Sequence, residues 1–409
     1  MQASRAVLLS EAGKSLPATL ITLAVGSLLL APFLSFVSSR SLGSRSAEDA
    51  IAAQYAADAG IEFGVWTLLN DPGFRSQVDN NLGTPQTLSF PGTLNGFTPT
   101  LSVTGLPLGG WTIRQSVPVT IERGGAMAYA GGDRIYVLRG NNSRDFGYYS
   151  ISADSWFSLA NTPQTVQRGG ALVYGGGNYL YALRGRNTDT FWRYNISTNS
   201  WSTLDDTPNR VRQGGELVWT GGSSIYAFRG GREDFWRYDI TADNWSNRAD
   251  APDRVGYGSD LVYTGGSNIY AFCGNNSTDF WRYNITSNSW TSLQNAPANV
   301  NNGGGLAYYS GGYIYALRGN SNVFWRYTIP TDSWSTLTPA PAQVGRGGDL
   351  IFTQGTTGFA LRGGNQTDFW EFVVTPPRYD IHAEAGSVIT DARFEIDGLN
   401  TSVIFWDIE

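Results

Sequence analysis

Short runs of alternating apolar and polar residues recur along most of the chain, separated by glycine pairs and by clusters of Asn, Asp, Ser and Thr. Residues 180–183 and 191–194 are typical runs. Alternation bounded by turn residues predicts antiparallel strands. The pattern occurs six times, in copies that begin at Arg123, Arg168, Gln213, Tyr257, Asn302 and Arg346. Because the copies are 44 or 45 residues apart, each is expected to form one supersecondary unit.

Each copy has room for four strands, and none shows the period of a helix. One such sheet cannot bury both of its faces, so the six copies are expected to stack around an axis as a six-bladed β-propeller. In the first five copies a Trp lies 12 residues before the next copy, as Trp156 does before Arg168. Trp111 has the same offset from Arg123, whereas the sixth copy lacks a Trp strand. We therefore predict that the strand at Trp111 completes the sixth blade and closes the ring.

A spaced pair of aromatic residues marks the third and fourth strands. In each of the first five copies a Tyr is followed after six residues by a Trp, in the pairs Tyr149/Trp156, Tyr194/Trp201, Tyr238/Trp245, Tyr283/Trp290 and Tyr327/Trp334. Together with the glycine pair, this spacing resembles the Kelch repeat. The resemblance implies a β-propeller and, by itself, no activity. The chain departs from the Kelch pattern after the second strand, where Arg-Gly replaces Gly-Gly except at Cys273 in the fourth copy.

These arginines vary together with an aspartate that precedes the third strand. The Arg is missing only where Cys273 stands, and the Asp is missing only in the fifth copy, where Val323 replaces it. Pairing the Arg of one blade with the Asp of the next would place both losses at one junction. The predicted inter-blade pairs are Arg139 with Asp189, Arg184 with Asp234, Arg229 with Asp279, Arg318 with Asp368, and Arg362 with Asp145. The alternative is a ring of arginines that binds an acidic ligand.

The amino-terminal part has a different pattern. Residues 16–37 carry no charged side chain and are numerous enough to span a bilayer as a helix. The helix is expected to continue to Asn70, because residues 47–70 are rich in Ala, lack Pro and place apolar side chains along one side. The sequence Asp71-Pro72-Gly73 then ends it.

This two-part helix resembles the spine of type IV pilins and pseudopilins, and residues 56–62 with Trp66 are similar to PilX-like minor pilins. The resemblance implies processing between Gly13 and Lys14. It also implies other pilin-like subunits and the membrane as partners, with an extracytoplasmic location at the cell surface or pilus tip. Ala18 stands where major pilins have a Glu, which places ordinary packing in a filament shaft in doubt.

The fold class predicted from these patterns is mainly β, with one long N-terminal α-helix and a six-bladed β-propeller inserted in a small pilin-like α+β head. The predicted leader is residues 1–13 and the predicted helix is residues 14–70. Strand-like runs on both sides of the ring assign residues 71–108 and 375–409 to the head. The propeller then occupies residues 109–374.

Composition limits the chemistry that the chain can perform. The net charge is −6 and the basic residues are dispersed, so no nucleic-acid partner is expected. His382 and Cys273 are the only residues of their types, which excludes a His/Cys metal cluster and leaves the ring without a histidine for nucleophilic catalysis. Neighbouring carboxylates remain as glycosidase candidates, although such pairs on turns are usually only solvated: Asp205 with Asp206, Glu233 with Asp234, and Asp250 with Asp253. We predict no enzymatic activity, no catalytic residue, no metal and no cofactor.

Binding is the function that the repeats favour. The six residues that begin the copies form a varied polar set in a repetitive frame, and they are the predicted ligand-binding residues: Arg123, Arg168, Gln213, Tyr257, Asn302 and Arg346. They would suit hydrogen bonds to a glycan or a protein loop. We therefore predict a minor pilin-like or pilus-tip surface protein that acts in adhesion. The alternatives are an extracytoplasmic scaffold propeller held by a signal anchor, and a sialidase-like carbohydrate-active enzyme.

Overall fold

The computed structural model describes residues 45–106, 109–353, 355–375, 377–397 and 400–408. These residues form two compact units. The flanking unit consists of the described residues up to Leu106 and from Arg378 onward, and the ring consists of those between them. Each unit is described by itself.

The elements are numbered in chain order. The flanking unit begins with α1 (Arg45–Asn70), α2 (Pro72–Asn80), β1 (Gln86–Ser89) and β2 (Thr100–Gly105). The ring contains β3 (Gly110–Ile113), β4 (Ala126–Tyr129), β5 (Arg134–Leu138), β6 (Phe146–Ser150), β7 (Ser155–Ser158), β8 (Ala171–Tyr174), β9 (Tyr179–Leu183), β10 (Phe191–Asn195), β11 (Ser200–Thr203), β12 (Glu216–Trp219), β13 (Ser224–Phe228), β14 (Phe235–Asp239), β15 (Asn244–Asn247), β16 (Asp260–Tyr263), β17 (Asn268–Phe272), β18 (Phe280–Asn284), β19 (Ser289–Ser292), β20 (Gly304–Tyr308), β21 (Tyr313–Arg318), β22 (Phe324–Thr328), β23 (Ser333–Thr336), β24 (Asp349–Phe352), β25 (Thr357–Leu361) and β26 (Phe369–Val373). The flanking unit ends with β27 (Arg378–Ala385), β28 (Val388–Asp397) and β29 (Asn400–Ile408).

Each copy of the repeat forms one antiparallel sheet, which we call a blade and number by copy. Blades 1 to 5 each contain four consecutive strands, starting with β4, β8, β12, β16 and β20. These first strands and β24 contact one another in cyclic order, with β24 next to β4, so they form the inner wall of a closed ring. The ring is therefore a six-bladed β-propeller.

The predicted closure of the ring is confirmed. Strand β3 pairs with β26 as the fourth strand of blade 6, and Trp111 lies opposite Phe372. The Trp111 ring centroid is 4.9 Å from that of Phe324 in blade 5, and its Nε1 donates to the carbonyl oxygen of Thr338 at 3.1 Å. The earliest strand of the ring thus completes its last blade.

An aromatic contact joins each blade to the next. Between blades 2 and 3, the ring centroid of Phe191 lies 4.9 Å from those of Tyr238 and Trp245. Tyr238 donates to Asp243, and Trp245 Nε1 donates to the carbonyl oxygen of Asp205. The same arrangement recurs at the other five junctions, with Phe372 in place of the Tyr in blade 6. Such pairs add about 0.5–1.5 kcal/mol each beyond the burial of their surface. The Tyr and Trp that carry the Kelch resemblance therefore hold neighbouring blades together.

The flanking unit is a five-stranded antiparallel sheet, in the order β1-β2-β27-β28-β29, with α1 packed on β2, β27 and β28. Small residues of α1 face the sheet, and Ala53, Ala56 and Ala57 are buried there. A Cβ atom on Gly60 would collide with the side chain of Leu101 on β2, so this glycine permits a close approach of helix and sheet. His382, on β27, lies 2.8 Å from Asp391 of β28.

The predicted fold class is wrong in its helical part. The described helices are 26 and 9 residues long instead of forming one long N-terminal helix, and Asp71 caps the start of α2 by accepting a hydrogen bond from Phe74 N–H. The Ala-rich segment that suggested a pilin spine is used for close packing on the sheet, so the pilin-like helix-plus-head architecture is not supported.

Residues 1–44 lie outside the described residues. They include the predicted processing site at Gly13 and Lys14 and the apolar stretch 16–37, which stay predictions. Among the helices that the structure describes, none has the length and apolar character that crossing a bilayer requires.

Candidate ligand-binding channel

The six predicted ligand-binding residues lie directly before the inner strands, at what we call the polar end of the ring. Each is followed by a glycine with a positive φ. The loop that leads into the first strand of the next blade, which we call its entry loop, lies against this glycine. A Cβ atom on Gly169, for example, would collide with the carbonyl oxygen of Arg212. The repeated glycines thus bring the entry loops of neighbouring blades into contact.

The structure divides these six residues into groups. Arg123 and Arg346 are brought together, since each has a guanidinium nitrogen 3.9 Å from the carboxylate of Glu122. Arg168 and Gln213 line one groove between the entry loops of blades 2 and 3. Tyr257 and Asn302, in blades 4 and 5, belong to neither group.

The arginines of the Arg-Gly pairs are placed differently from the prediction. Three of them bond to the aspartate of their own blade, at 2.8–2.9 Å, in the pairs Arg139–Asp145, Arg229–Asp234 and Arg362–Asp368. All five donate from Nε to a carbonyl of the loop that enters their own blade: Arg139 to Thr120, Arg184 to Thr165, Arg229 to Arg210, Arg318 to Asn299 and Arg362 to Gln343. Cys273 makes the equivalent contact with Arg254. Asp279 accepts from Ser277, and for Asp189 no ion pair is found in the described part of the chain. The shared role of these arginines is to fasten the entry loop.

Three carboxyl groups line the channel, and the sequence analysis did not identify them. Glu216, Asp260 and Asp349 occupy the same position in blades 3, 4 and 6, at the start of the inner strand. Asp260 accepts hydrogen bonds from Leu261 N–H and from an inner-strand N–H of the next blade, and Asp349 does the same. Glu216 accepts one from Leu217 N–H. The signal that could have found them was three acidic residues at one repeat position in strands predicted to be buried.

Burial and mutual repulsion weaken the acidity of this group, which we call the acid layer. Burial, followed by repulsion from Asp260 and Asp349, raises the pKa of Glu216 well above its usual range. Burial and then repulsion from Asp349 likewise raise the pKa of Asp260. Burial raises the pKa of Asp349 to about 6, against the hydrogen bonds from Met127 and Leu350. Near neutral pH the layer therefore retains protons that ordinary carboxyl groups would have lost.

Six aromatic residues surround the opposite end of the inner strands, which we call the aromatic end. They are partly exposed and comprise Tyr129, Tyr174, Trp219, Tyr263, Tyr308 and Phe352. Four of them donate to the glycine carbonyl three residues later, at 3.0–3.1 Å, which fixes their rings against the hairpin turns. Between the acid layer and the aromatic end lies a cavity of about 380 Å³, lined by inner strands of all six blades. No group of three or more His, Cys, Asp or Glu side chains among the described residues is placed to hold a metal ion.

Comparisons with known proteins define the fold of the ring. No family model matches the chain, and no curated protein matches it. Among solved structures, that of YjhT superposes with a TM-score of 0.51 at 13% sequence identity, covering 71% of this chain and 99% of that one. At this identity the likeness shows the fold alone, a β-propeller that fits the predicted Kelch-type repeats. None of these findings supports the pilin-like assignment or a role at a pilus tip, and that interpretation is dropped.

The prediction that the chain is not an enzyme is also corrected. It rested on the lack of a catalytic constellation in the sequence, whereas the channel of the ring holds three carboxyl groups whose pKa values are raised by burial. Two carboxyl groups of different acidity are what glycoside hydrolysis requires. The exclusion of catalysis, drawn from histidine and from neighbouring carboxylates alone, is therefore withdrawn.

Proposed function

We propose that the ring binds a carbohydrate in its central channel, with the sugar entering from the aromatic end. The observation that carries this proposal is the cavity itself, which joins six aromatic residues at its mouth to three carboxyl groups along its wall. We keep as part of the proposal that residues 16–37 anchor the chain in a membrane, with the ring outside the cytoplasm.

The aromatic end suits the apolar faces of sugar rings. The hydroxyl groups of Tyr129, Tyr174 and Tyr263 and the indole N–H of Trp219 donate to turn carbonyls, so these side chains offer a ligand their ring surface but no free donor. Aromatic side chains lose little conformational entropy on binding because they have few rotatable bonds. Here the hydrogen bonds to the turns reduce that loss further.

The acid layer suits the hydroxyl groups of a sugar. A protonated carboxyl group donates one hydrogen bond and still accepts others, whereas an ionised one only accepts. Since burial raises the pKa values of Glu216, Asp260 and Asp349, both kinds of partner are present in the cavity near neutral pH. A few polar groups within an otherwise apolar wall are typical of small-molecule sites.

Glycoside hydrolysis is the second candidate function, and the acid layer is the observation that favours it. A protonated carboxyl group can act as general acid while an ionised one acts as base or nucleophile. Glu216 is the best candidate for the acid, because Asp260 and Asp349 are committed to strand N–H groups of neighbouring blades.

The test is a glycan-binding screen on the full chain, followed by titration of the best ligand. Trp219→Ala is expected to weaken binding about tenfold or more, by analogy with the stacking of nucleic-acid bases on an aromatic ring, which contributes on the order of 1–3 kcal/mol. Phe157→Ala is the matched control, because Phe157 is an exposed aromatic residue on the outer strand β7. Equal affinity of the Trp219 variant and the native chain would contradict the proposal.

The same ligands decide between binding and hydrolysis. Release of reducing sugar that disappears in Glu216→Gln, while affinity for the intact glycan persists, would establish the second candidate. Binding without turnover would leave recognition as the function of the channel.

A further inference from the structure

A groove at the polar end, between the entry loops of blades 2 and 3, concentrates positive charge. It has a volume of about 340 Å³ and is lined by Gln167, Arg168, Arg186, Asn187, Arg212 and Gln213. Three of these six residues are arginines and none is acidic, although the net charge of the chain is −6. The groove is therefore a local exception to the charge of the molecule.

The repeat supplies an internal comparison for two of the three arginines, Arg186 and Arg212. The position of Arg186 is filled in the other blades by Asn141, Gly231, Asn275, Asn320 and Gly364. The position of Arg212 is filled by Glu122, Gln167, Gly256, Asn301 and Gly345. Since all the blades pair and pack alike, the frame does not require arginine at either position.

The backbone conformation at position 186 is unfavourable for an arginine. Its φ is 58°, in the left-handed region, where the equivalent residues of the other blades are Asn or Gly. A residue with a long side chain is disfavoured there relative to glycine. Backbone strain of this kind concentrates at functional sites.

The partners of these arginines hold them without neutralising them. Arg186 Nη1 donates to the Thr165 hydroxyl at 2.9 Å, and Arg212 Nε donates to the Asn187 amide oxygen at 3.1 Å. Within the described ranges, neither these two nor Arg168 has a carboxylate within 4.0 Å, whereas Arg123 and Arg346 share Glu122. Repulsion from Arg186 also contributes, after burial, to a lowered pKa of the nearby Arg184.

We propose that this groove is a binding site for a sulfate or phosphate ester group of a ligand. Three guanidinium groups can direct several N–H donors at one tetrahedral oxyanion, and charge-assisted bonds of this type are the strongest that side chains form. Gln167, Asn187 and Gln213 supply neutral polar side chains at its rim. The site lies at the polar end and does not depend on carbohydrate binding at the aromatic end.

The first test titrates the full chain with inorganic sulfate and inorganic phosphate at constant ionic strength, using chloride as the reference. Saturable binding of sulfate or phosphate is expected, and Arg186→Asn should weaken it about tenfold or more. Asn is the residue that three other blades carry here, so this variant is expected to fold at least as well as the native chain. Arg254→Asn is the matched control, because Arg254 is an exposed arginine in the loop that enters blade 4, and its affinity should equal that of the native chain.

A second titration separates the two possible sources of the anion. A sulfated and a phosphorylated oligosaccharide are each compared with the unmodified sugar, and the ester that gains affinity through Arg186 identifies the source. Three results would overturn the proposal: an adventitious ion only, bound no better than chloride; equal losses in the Arg186 and Arg254 variants; or no gain for either ester over the unmodified sugar.

Discussion

Replacing Glu216 by Gln tests whether the acid layer is protonated as its surroundings imply. The exchange keeps the shape of the side chain and an acceptor for Leu217 N–H, but it removes the titratable proton. Because burial and repulsion raise the pKa of Glu216 above its ordinary value of 4.5, the folded chain holds this proton at pH values where the unfolded chain has lost it. The contribution of Glu216 to the free energy of unfolding is therefore fully present below pH 4.5 and is lost as the pH rises.

The structure gives the scale of the effect. The pKa of Asp349 rises from 3.8 to about 6, and each pKa unit corresponds to about 1.4 kcal/mol, so one carboxyl group of this layer accounts for about 3 kcal/mol. Glu216 and Asp349 are not fully buried, so solvent screening reduces this figure. We expect Glu216→Gln to leave the free energy of unfolding unchanged at pH 4 and to raise it by about 1–3 kcal/mol at pH 8.

The assay is urea unfolding followed by tryptophan fluorescence at several pH values, and the 14 Trp residues give a strong signal. Asp250→Asn is the control, because Asp250 is an exposed carboxylate of the ring. It removes one negative charge without touching the channel. If native chain and Glu216→Gln show parallel stability profiles between pH 4 and pH 8, the acid layer is ionised and the reasoning is refuted.

Three further predictions concern the frame of the ring. Gly169→Ala is expected to destabilise the ring by about 3 kcal/mol or more, because the added Cβ meets the Arg212 carbonyl. Gly177→Ala, at a similar positive φ in open space, should cost about 1 kcal/mol. The urea midpoints of the two variants are compared, and equal losses would contradict the close approach at Gly169. Trp111→Ala should destabilise the ring by about 3–5 kcal/mol, because it removes the contacts by which β3 closes the ring. The control Phe157→Ala should change stability by less than about 1 kcal/mol. A stable ring without Trp111 would argue against closure by β3. Burial raises the pKa of Cys273 to about 12, so a thiol reagent at pH 8 should react slowly with the native chain and rapidly after unfolding; fast reaction of the folded chain would show that this strand is exposed.

The sequence predicted the ring well because the signals for it are spacings between residues along the chain. The repeat length, the spacing of Tyr and Trp, and the offset of Trp111 are fixed along the chain, and each maps onto one strand or one junction. The Arg–Asp pairing was less accessible. Covariation at one junction favoured neighbouring blades, but the antiparallel pairing of the second and third strands brings Arg139 beside Asp145 of its own blade. The contact shared by all five arginines is to a backbone carbonyl, which leaves no mark in side-chain patterns.

The helical prediction failed because an Ala-rich helix serves two purposes equally well. Small residues suit the spine of a pilin, and they also suit close packing on a sheet, as Ala56 and Gly60 show. The acid layer was missed for a related reason. An acidic residue at the start of a strand indicates exposure, and only closure of the ring places Glu216 and Asp349 along the wall of a cavity.

The departures from the repeat are the strongest argument for where recognition occurs. The aromatic and glycine positions that the blades share make contacts between blades, so the architecture of the ring accounts for them. Glu216 and Arg186 make no such contact, and both oppose stability: Glu216 is a carboxyl group whose charge burial disfavours, and Arg186 places a long side chain at a φ of 58°. Local choices that conflict with the fold are expected at functional sites rather than in the frame. Replacing these residues by those that the other blades carry should therefore increase the free energy of unfolding and reduce ligand binding. Variants that lose both stability and binding would show that these residues belong to the frame of the ring.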